Sequence, residues 1–335
     1  MKTIIKKLPG IALAGLIAVP AWFLGLAFPV IGSPVLGILF GMLLVFWKRP
    51  EVFNEGVKVT SKNLLQYSII LLGFGMNLYQ VFKVGSNTLL LMAFTLTAAF
   101  LVAYFVGKRM RVEGITSTLI GVGTAICGGS AIAAVAPVIQ ASDEEVAHSI
   151  STIFLFNVIA AFLFPVLGHA LGMNDYNFGL WAGTAINDTS SVVAAGYTFS
   201  DAAGNLAVIV KLTRTLMIVP VTLALALFAS RRHVEKKEAA SHRGGYSIIK
   251  IFPWFVLGFI GASVVNTFIP LPGGADGFLA QAGKFVIVMA MGSIGLNTNL
   301  VKLAKSGGKP ILLGFICWIV LSATSLTVQY FVLNL

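Results

Sequence analysis

Long apolar segments follow one another along nearly the whole chain, and short polar stretches separate them. A membrane-spanning helix needs about 20 mainly apolar residues, and this criterion gives about 11 candidate segments. They cover residues 9–28, 31–47, 64–80, 87–107, 115–139, 148–172, 178–198, 204–229, 251–270, 277–296 and 311–333. The pattern predicts an all-α polytopic membrane protein, a single transmembrane domain over 1–335 with repeat-like halves near 64–172 and 178–333.

The basic residues give the predicted helices an orientation. Lys and Arg are enriched in cytoplasmic loops, and here most of them gather between apolar segments, at residues 2–7, 48–62, 108–111, 231–250 and 302–309. Following the chain through the segments places all these clusters on one side. We therefore predict a cytoplasmic amino terminus, a periplasmic or extracellular carboxyl terminus, and a cytoplasmic loop at 230–250.

Composition supports a membrane environment and narrows the expected partners. Of the 335 residues, 57% are hydrophobic and only 10% are charged, whereas a soluble domain has about 25% charged residues. The net charge of +11 is spread over short clusters without a continuous basic face, so we expect the lipid bilayer as a partner and no nucleic acid. Cys127 and Cys317 fit neither a metal motif nor a disulfide framework, and no metal or cofactor is expected.

One short motif occurs twice in the apolar sequence. Gly-Thr-Ala-Ile stands at 123–126 and again at 183–186, and Ser130 recurs as Ser190. Duplicated glycine- and hydroxyl-rich breaks in apolar segments form the mid-membrane binding sites of many secondary transporters. Close helix packing explains either copy alone, but the duplication, together with Asp188, favours a binding site.

The charge pattern leaves the path of the two motif segments open. As full spans they would run parallel, whereas as re-entrant hairpins they would enter from opposite faces, and both paths return the next segment to the cytoplasm. A second pair of similar segments, ending at 75–77 and 295–297 with Gly-Met-Asn and Gly-Leu-Asn, crosses in opposite directions. Because inverted repeats require such pairs, we expect two broken or re-entrant helices.

Asp188 is the carboxylate that the pattern places deep in an apolar segment. A charged residue there costs at least roughly 2.5–3.5 kcal/mol, which marks it as a functional candidate. Lys211 and Arg214 in segment 204–229 are its candidate partners. In one interpretation Asp188 only neutralises one of them; in the other, a cation binds an anionic substrate and Asp188 takes a proton or pairs with the vacated cation. The surplus positive charge favours an oxyanion over a metal cation.

The residues around the two breaks form the predicted substrate site. Ser, Thr and Asp favour helix caps over helix interiors, and a half-helix that begins at such a cap directs free N–H groups and a partial positive charge at the site. The predicted substrate-binding residues are Thr124, Gly128, Gly129, Ser130, Asn187, Asp188, Thr189, Ser190, Lys211 and Arg214. Asp188 is also the predicted coupling residue, and no catalytic residue is expected.

The motif residues resemble a known family. Gly123-Thr124-Ala125-Ile126-Cys127-Gly128-Gly129-Ser130-Ala131-Ile132-Ala133-Ala134 is similar to the signature of the YeiH-like sulfate exporters of bacteria. Asn187-Asp188 followed by 192–196, Lys211 with Arg214, and Gly292 with Gly295-Leu296 occur in the same order in that family. The resemblance implies a multi-pass protein of the bacterial inner (plasma) membrane that exports sulfate or a related sulfur oxyanion. Some members carry His-Glu where this chain has Asn187-Asp188.

These observations predict a secondary active transporter of a small inorganic oxyanion that works by alternating access, with proton coupling as one option. The main alternative is a cation–proton (Na⁺/H⁺) antiporter using Asp188 and Lys211. An alternative of another class is an intramembrane enzyme, which the sequence disfavours because it shows no nucleophile with a nearby base. A passive channel is a third alternative. A homodimer is expected, since such carriers often need a fixed scaffold.

Overall fold

The computed structural model of the protein describes residues 6–28, 32–47, 49–225, 253–269, 271–298 and 308–332. These residues form helices and turns, and no strand occurs among them. The α-helices, numbered in chain order, are α1 (Leu8–Ala27), α2 (Ser33–Leu43), α3 (Asn54–Val59), α4 (Leu65–Gly73), α5 (Leu78–Met110), α6 (Gly114–Ala125), α7 (Gly129–Val135), α8 (Asp143–Ala170), α9 (Asp175–Ala185), α10 (Thr189–Phe199), α11 (Asp201–Leu216), α12 (Trp254–Phe268), α13 (Ala275–Asn297) and α14 (Gly308–Phe331).

Most predicted segments coincide with these helices, but the one at 64–80 is corrected. A π-helical turn at Thr60–Leu64 joins α3 to α4, so the helical stretch begins ten residues earlier, at Asn54, and ends at Gly73. Lys58 and Lys62 lie in its first half and lower the local hydropathy, which hides this half from an apolar window. The predicted loop at 230–250 lies outside the described residues.

The helices have the length and surface of a membrane protein. Six described helices are long and apolar enough to cross a membrane, and α2, α6 and α12 are shorter apolar helices. Large apolar side chains point outward from the bundle, among them Phe82, Phe105 and Phe331, which are 63%, 62% and 73% exposed. Such an apolar exterior suits lipid, because the hydrocarbon core offers no water for polar groups. The chain is a polytopic, all-helical membrane protein.

The helix ends gather at two faces of the bundle. At the face we call the basic face, Gly56 abuts the carbonyl of Lys7, and Arg49 donates to the side chain of Asn297 at 3.1 Å. Here α1, α3 and α6 begin and α2, α5 and α13 end. At the opposite face α4 and α8 end and α2, α5, α9 and α11 begin; the backbone N–H of Leu78 at the start of α5, for example, donates to Thr267 at the end of α12.

The first motif segment is a hairpin that enters from the basic face. Its first arm, α6, starts beside the end of α5, where Ser117 donates to the carbonyl of Ala103 at 2.5 Å. The helix breaks at 126–128, and the second arm, α7, turns back along the first half of α8. Residues near the start of α6 and the start of α8 share one apolar cluster. The predicted segment 115–139 is therefore two half-helices that begin and end at the same face.

The second motif segment is the reverse hairpin and enters from the opposite face. The hydroxyl of Ser200, just after α10, donates to the carboxylate of Asp175, the first residue of α9, at 2.6 Å. The second arm therefore ends at the face where the first arm begins. The α9 arm runs parallel to α11, with Gly183 against Val210, whereas α10 runs antiparallel to it, with Gly196 against Gly204. Small residues at these contacts permit close packing. The re-entrant alternative is thus the one that the structure adopts.

Candidate functional site

The tips of the two hairpins, residues 126–128 and 186–188, meet in the interior of the bundle. Helix α11 passes both of them and contributes two cations, Lys211 and Arg214, whose side chains are fully buried. Each first arm, α6 or α9, ends at its tip and so presents unpaired carbonyl groups and a partial negative charge there. The cations lie where these two carbonyl-rich helix ends converge.

Lys211 joins the two tips directly. Its ammonium donates to the carbonyl oxygens of Ile126 at 2.7 Å, Ile186 at 3.2 Å and Asn187. An ammonium has three N–H donors, so the backbone takes all of them. One acceptor belongs to the first hairpin and two belong to the second, which makes Lys211 a clamp between the copies.

Arg214 repeats this arrangement one turn further along α11. Its guanidinium donates to the carbonyls of Thr124 and Ala125 in the first hairpin, the second of these from Nε at 2.6 Å. In the second hairpin it donates from Nη1 to the carbonyls of Thr184 at 2.5 Å and Ile186 at 3.4 Å. The rigid fork of an Arg side chain suits several fixed acceptors at once. Both predicted cations therefore bind the chain itself.

One of the two interpretations of Asp188, an ion pair that neutralises Lys211 or Arg214, is not what the structure shows. Among the described residues the one ion pair within 4 Å is Lys284–Asp201. Asp188 instead caps α10, since its carboxylate accepts from the backbone N–H of Ser190 at 3.0 Å and from the Ser190 hydroxyl. A side-chain oxygen at this position satisfies a free N–H of the first helical turn. Asp188 is half-buried, so its charge lies at the edge of the tip region.

Asn187 and Thr124 carry buried polar groups without a partner. Asn187 is 1% exposed, and neither its Oδ1 nor its Nδ2 has a hydrogen-bond partner in the structure. The hydroxyl of Thr124 is buried and also unpartnered, whereas the matching hydroxyl of Thr184 bonds to Leu180 and Ser325. A buried group left unpaired costs about 1–3 kcal/mol. The junction of the two tips thus offers unused hydrogen-bonding capacity, both donating and accepting.

The glycine-rich side of the junction is formed by Gly128, Gly129 and Ser130. Gly128 has φ 69° and ψ −131°, a conformation open essentially to glycine alone. It lies next to Asp188 and Asn157, so the two hairpins contact each other here as well. Gly129 begins α7 and is half-buried, and Ser130 is exposed. On the other wall Thr189 is half-buried and Ser190 is buried.

Asn157 holds the second tip in place and is absent from the predicted set. It is 2% exposed on α8, and its Oδ1 accepts from the backbone N–H groups of Asn187 at 3.2 Å and Asp188 at 3.1 Å. A lone Asn in an apolar helix gives a weak sequence signal, because its partners are backbone groups that every residue carries. Its position leaves the side chain of Asn187 free for other partners.

Comparison with known proteins gives the chain a family. The family model described as "Conserved hypothetical protein 698" matches residues 9–314. The chain belongs to this family. Related UPF0324 membrane proteins of Streptococcus pyogenes serotype M6, Streptococcus mutans serotype c and Fusobacterium nucleatum are 51%, 48% and 45% identical to it. These alignments cover 98%, 97% and 97% of this chain and 98%, 97% and 98% of the relatives. No solved structure matches the chain.

The tip junction offers polar side chains and a polar helix end. It combines the unpartnered amide of Asn187, the N-terminal end of α10 and a half-buried carboxylate on Asp188. The amide and the helix end can hydrogen-bond an anion. No group of three or more His, Cys, Asp or Glu side chains that could hold a metal ion occurs in the part of the chain that the structure describes.

Proposed function

We propose that this protein is a secondary active transporter that carries a small inorganic oxyanion by alternating access. The observation that carries the proposal is the pair of re-entrant hairpins that enter from opposite faces and meet at a junction with unpartnered buried polar groups. Secondary carriers place substrate at such a junction between inverted repeats, where half-helix ends meet. One hairpin with the helices around it would move against the other to open the junction to each side in turn.

The donors at the junction favour an anion as the substrate. The unpartnered amide of Asn187 can donate a hydrogen bond to a substrate oxygen, and the N-terminal end of α10 carries a partial positive charge. Thr124, Gly128, Gly129 and Ser130 would form the opposite wall. In this proposal Lys211 and Arg214 contribute positive potential from behind the tips and do not contact the substrate, because their donors already bind carbonyls.

Asp188 is proposed to couple transport to protons. A carboxylate beside an anion site repels the substrate when ionised and admits it when protonated. Because a protonated Asp188 still caps α10 through its second oxygen, proton uptake would change the charge of the site without unfolding the helix.

The arrangement of the tip carbonyls argues against the Na⁺/H⁺ antiporter alternative. In inverted-repeat carriers, the carbonyls of broken helices and half-helix C-terminal ends coordinate Na⁺. Here those carbonyls bind Lys211 and Arg214, so two cations that belong to the chain fill the places that sodium would take. The junction gives no positive support for an enzymatic role, because the Ser190 hydroxyl donates to the same Asp188 carboxylate that caps α10.

The choice of substrate and location rests on the resemblance to the YeiH-like exporters. We propose sulfate or a related sulfur oxyanion as the substrate, carried across a bacterial inner membrane. The basic face would be cytoplasmic, because Lys and Arg are enriched there, which puts the amino terminus inside and the carboxyl terminus outside. A homodimer is proposed on general grounds, as a fixed scaffold for the moving part.

The test is uptake of radiolabelled sulfate and sulfite into proteoliposomes, with and without a pH gradient and with and without sodium. Wild type should show saturable uptake that follows the pH gradient and is indifferent to sodium. Asp188→Asn keeps a side-chain oxygen for the helix cap but removes the charge, so its uptake should lose the dependence on the pH gradient. Glu51→Gln, which neutralises an exposed carboxylate at the basic face, is the matched control and should behave as wild type.

Each arm can contradict the proposal. Sodium-driven proton movement without flux of either anion would favour the antiporter. Flux that rises linearly with concentration and ignores every gradient would favour a channel. If Asp188→Asn kept full dependence on the pH gradient, Asp188 would have no coupling role.

A further inference from the structure

A cavity lined by polar and apolar groups lies at the opposite face of the bundle, away from the hairpin tips. It has a volume of about 260 Å³ and opens between α1, α2 and α13 on one side and the end of α10 with the start of α11 on the other. A water molecule takes up ~30 Å³ in the liquid, so a small oxyanion fits with part of its hydration shell. Thr198 in this cavity is ten residues, roughly 15 Å, along the helix from Asp188.

Lys284 supplies the positive charge of this cavity. It lies within α13, and its side chain extends toward the opposite face, where Nζ is 2.7 Å from Oδ2 of Asp201 and 5.7 Å from the centre of the Tyr197 ring. The ammonium has three donors, and Asp201 is the only described residue that accepts from it. The side chain of Asp201 is 69% exposed against 22% for Lys284, so the carboxylate is the partner that can swing away into solvent.

Further features of the cavity favour negative charge. The starts of α2, at Ser33, and of α11, at Asp201, both line it, and each brings the partial positive charge of a helix N-terminus. The end of α10 contributes carbonyl groups of the opposite sign, which one of these two N-termini offsets. Thr198 also lines the cavity, and its hydroxyl is unpartnered although the residue is only 4% exposed.

Among the described residues that line the cavity, Lys284 and Asp201 are the only charged ones. Because an exposed ion pair contributes only about 0–1 kcal/mol, an incoming anion can take the place of the carboxylate at modest cost. The exchange would break the one ion pair found among the described residues, which joins α13 to the helix directly after the second hairpin.

We propose that this cavity is a vestibule that binds a small oxyanion on Lys284 and Thr198, with Asp201 as a built-in competitor for the same ammonium. It deepens the proposed function by giving the anion a second station on its path at the opposite face. The site itself stands on the cavity, the cation and the unpartnered hydroxyl; only the choice of sulfate as the probe rests on the proposed function.

The test is saturation binding of radiolabelled sulfate to the purified full-length protein in detergent, at constant ionic strength. Wild type should bind two sulfate ions per chain, one at the tip junction and one in the vestibule. Lys284→Gln should retain only the junction site, Asn187→Leu should retain only the vestibule, and the double variant should retain neither.

Asp201→Asn should keep both sites and tighten sulfate binding at one of them about two- to fivefold, because it removes a competitor. Lys83→Gln, at an exposed lysine of α5, is the control and should match wild type.

The outcomes separate this inference from the proposed function. Three results would overturn the vestibule. The first is that Lys284→Gln still binds two sulfate ions, and the second is that wild type has a single site that Asn187→Leu abolishes. The third is that the protein binds no sulfate at all. Weaker binding in Asp201→Asn that matches the loss in Lys284→Gln would also overturn it, since a purely structural ion pair suffers equally from either change. A single wild-type site that only Lys284→Gln removes would support the vestibule and contradict the junction. The melting temperature of each variant shows whether the fold is retained.

Discussion

The buried ammonium of Lys211 donates a 2.7 Å hydrogen bond to the carbonyl of Ile126, although 85 residues separate the two in the chain. Ile126 lies at the tip of the first hairpin, and Lys211 lies on the helix that the second hairpin clasps. A cation between two carbonyl-rich helix ends stabilises their meeting, because each end alone carries a partial negative charge that repels the other. The contact at the centre of the fold is therefore ionic and backbone-directed, and no apolar residue can replace it.

Lys211→Met should destabilise the protein strongly. The substitution keeps most of the length of the side chain but leaves the carbonyls of Ile126 and Asn187 without the ammonium donor, and that of Ile186 with only a 3.4 Å hydrogen bond from Arg214. Each buried unpaired group costs about 1–3 kcal/mol. We expect a marked fall in the melting temperature in detergent and a smaller yield of folded protein. Lys83→Met, at an exposed position on α5, controls for the loss of a lysine. A Lys211→Met protein as stable as this control would mean that the clamp contributes little.

Arg214→Lys should destabilise the protein even though it keeps the positive charge. The guanidinium reaches carbonyls in both hairpins from three nitrogens, and an ammonium on a flexible stem cannot reproduce this fork. We expect the free energy of unfolding to fall by roughly 1–3 kcal/mol, because some of the backbone carbonyls that Arg214 binds would be left without a donor. The melting temperature should fall accordingly. Arg109→Lys at an exposed position near the end of α5 should leave stability unchanged. Equal melting temperatures for the two variants would contradict the assignment.

The sequence pattern predicts the helices and hairpin tips well for identifiable physical reasons. Apolar length reports a membrane helix directly, and the repeated Gly-Thr-Ala-Ile places both breaks within a few residues of 126–128 and 186–188. The choice between spans and hairpins needed the structure, because both paths return α11 to the same face and leave the charge pattern unchanged.

The roles of the charged residues were not predictable in the same way. The sequence shows the charges of Lys211, Arg214 and Asp188 but not the carbonyl groups, which every residue has. Opposite charges in an apolar region therefore suggest an ion pair, whereas the structure uses the two cations to satisfy helix ends and Asp188 to cap one. Asn187 is among the residues predicted from the sequence, but the fact that its amide lacks a partner becomes visible only when every neighbour is known.

Asn187→Leu should separate stability from function. The Asn187 side chain has no partner in the structure, and an apolar group of similar size removes the cost of burying it unpaired, so the melting temperature should stay equal or rise. Sulfate uptake in proteoliposomes should fall at least about tenfold, because the substrate loses a buried hydrogen bond.

Asn157→Leu is the matched comparison for that variant. It deletes an amide that accepts from two backbone N–H groups of the second tip and should lower the melting temperature. If both variants lost stability equally, the Asn187 amide would have a structural partner, and the assignment of the junction as a binding site would be wrong.

Gly128→Ala should damage the first tip through the backbone alone. A Cβ at this position would lie 3.5 Å from its nearest neighbours, an ordinary contact distance, so crowding is not the obstacle. The obstacle is the backbone conformation, with φ at 69°, which costs a non-glycine residue of order 1–3 kcal/mol. Since α7 starts from this residue, relief of the strain would move the glycine wall away from Asp188, and sulfate uptake should fall while the protein remains folded.

Gly114→Ala, at the first residue of α6 with open space around it, is the control and should transport as wild type. Full transport in Gly128→Ala would mean that the tip tolerates another conformation and that its geometry does not determine substrate binding.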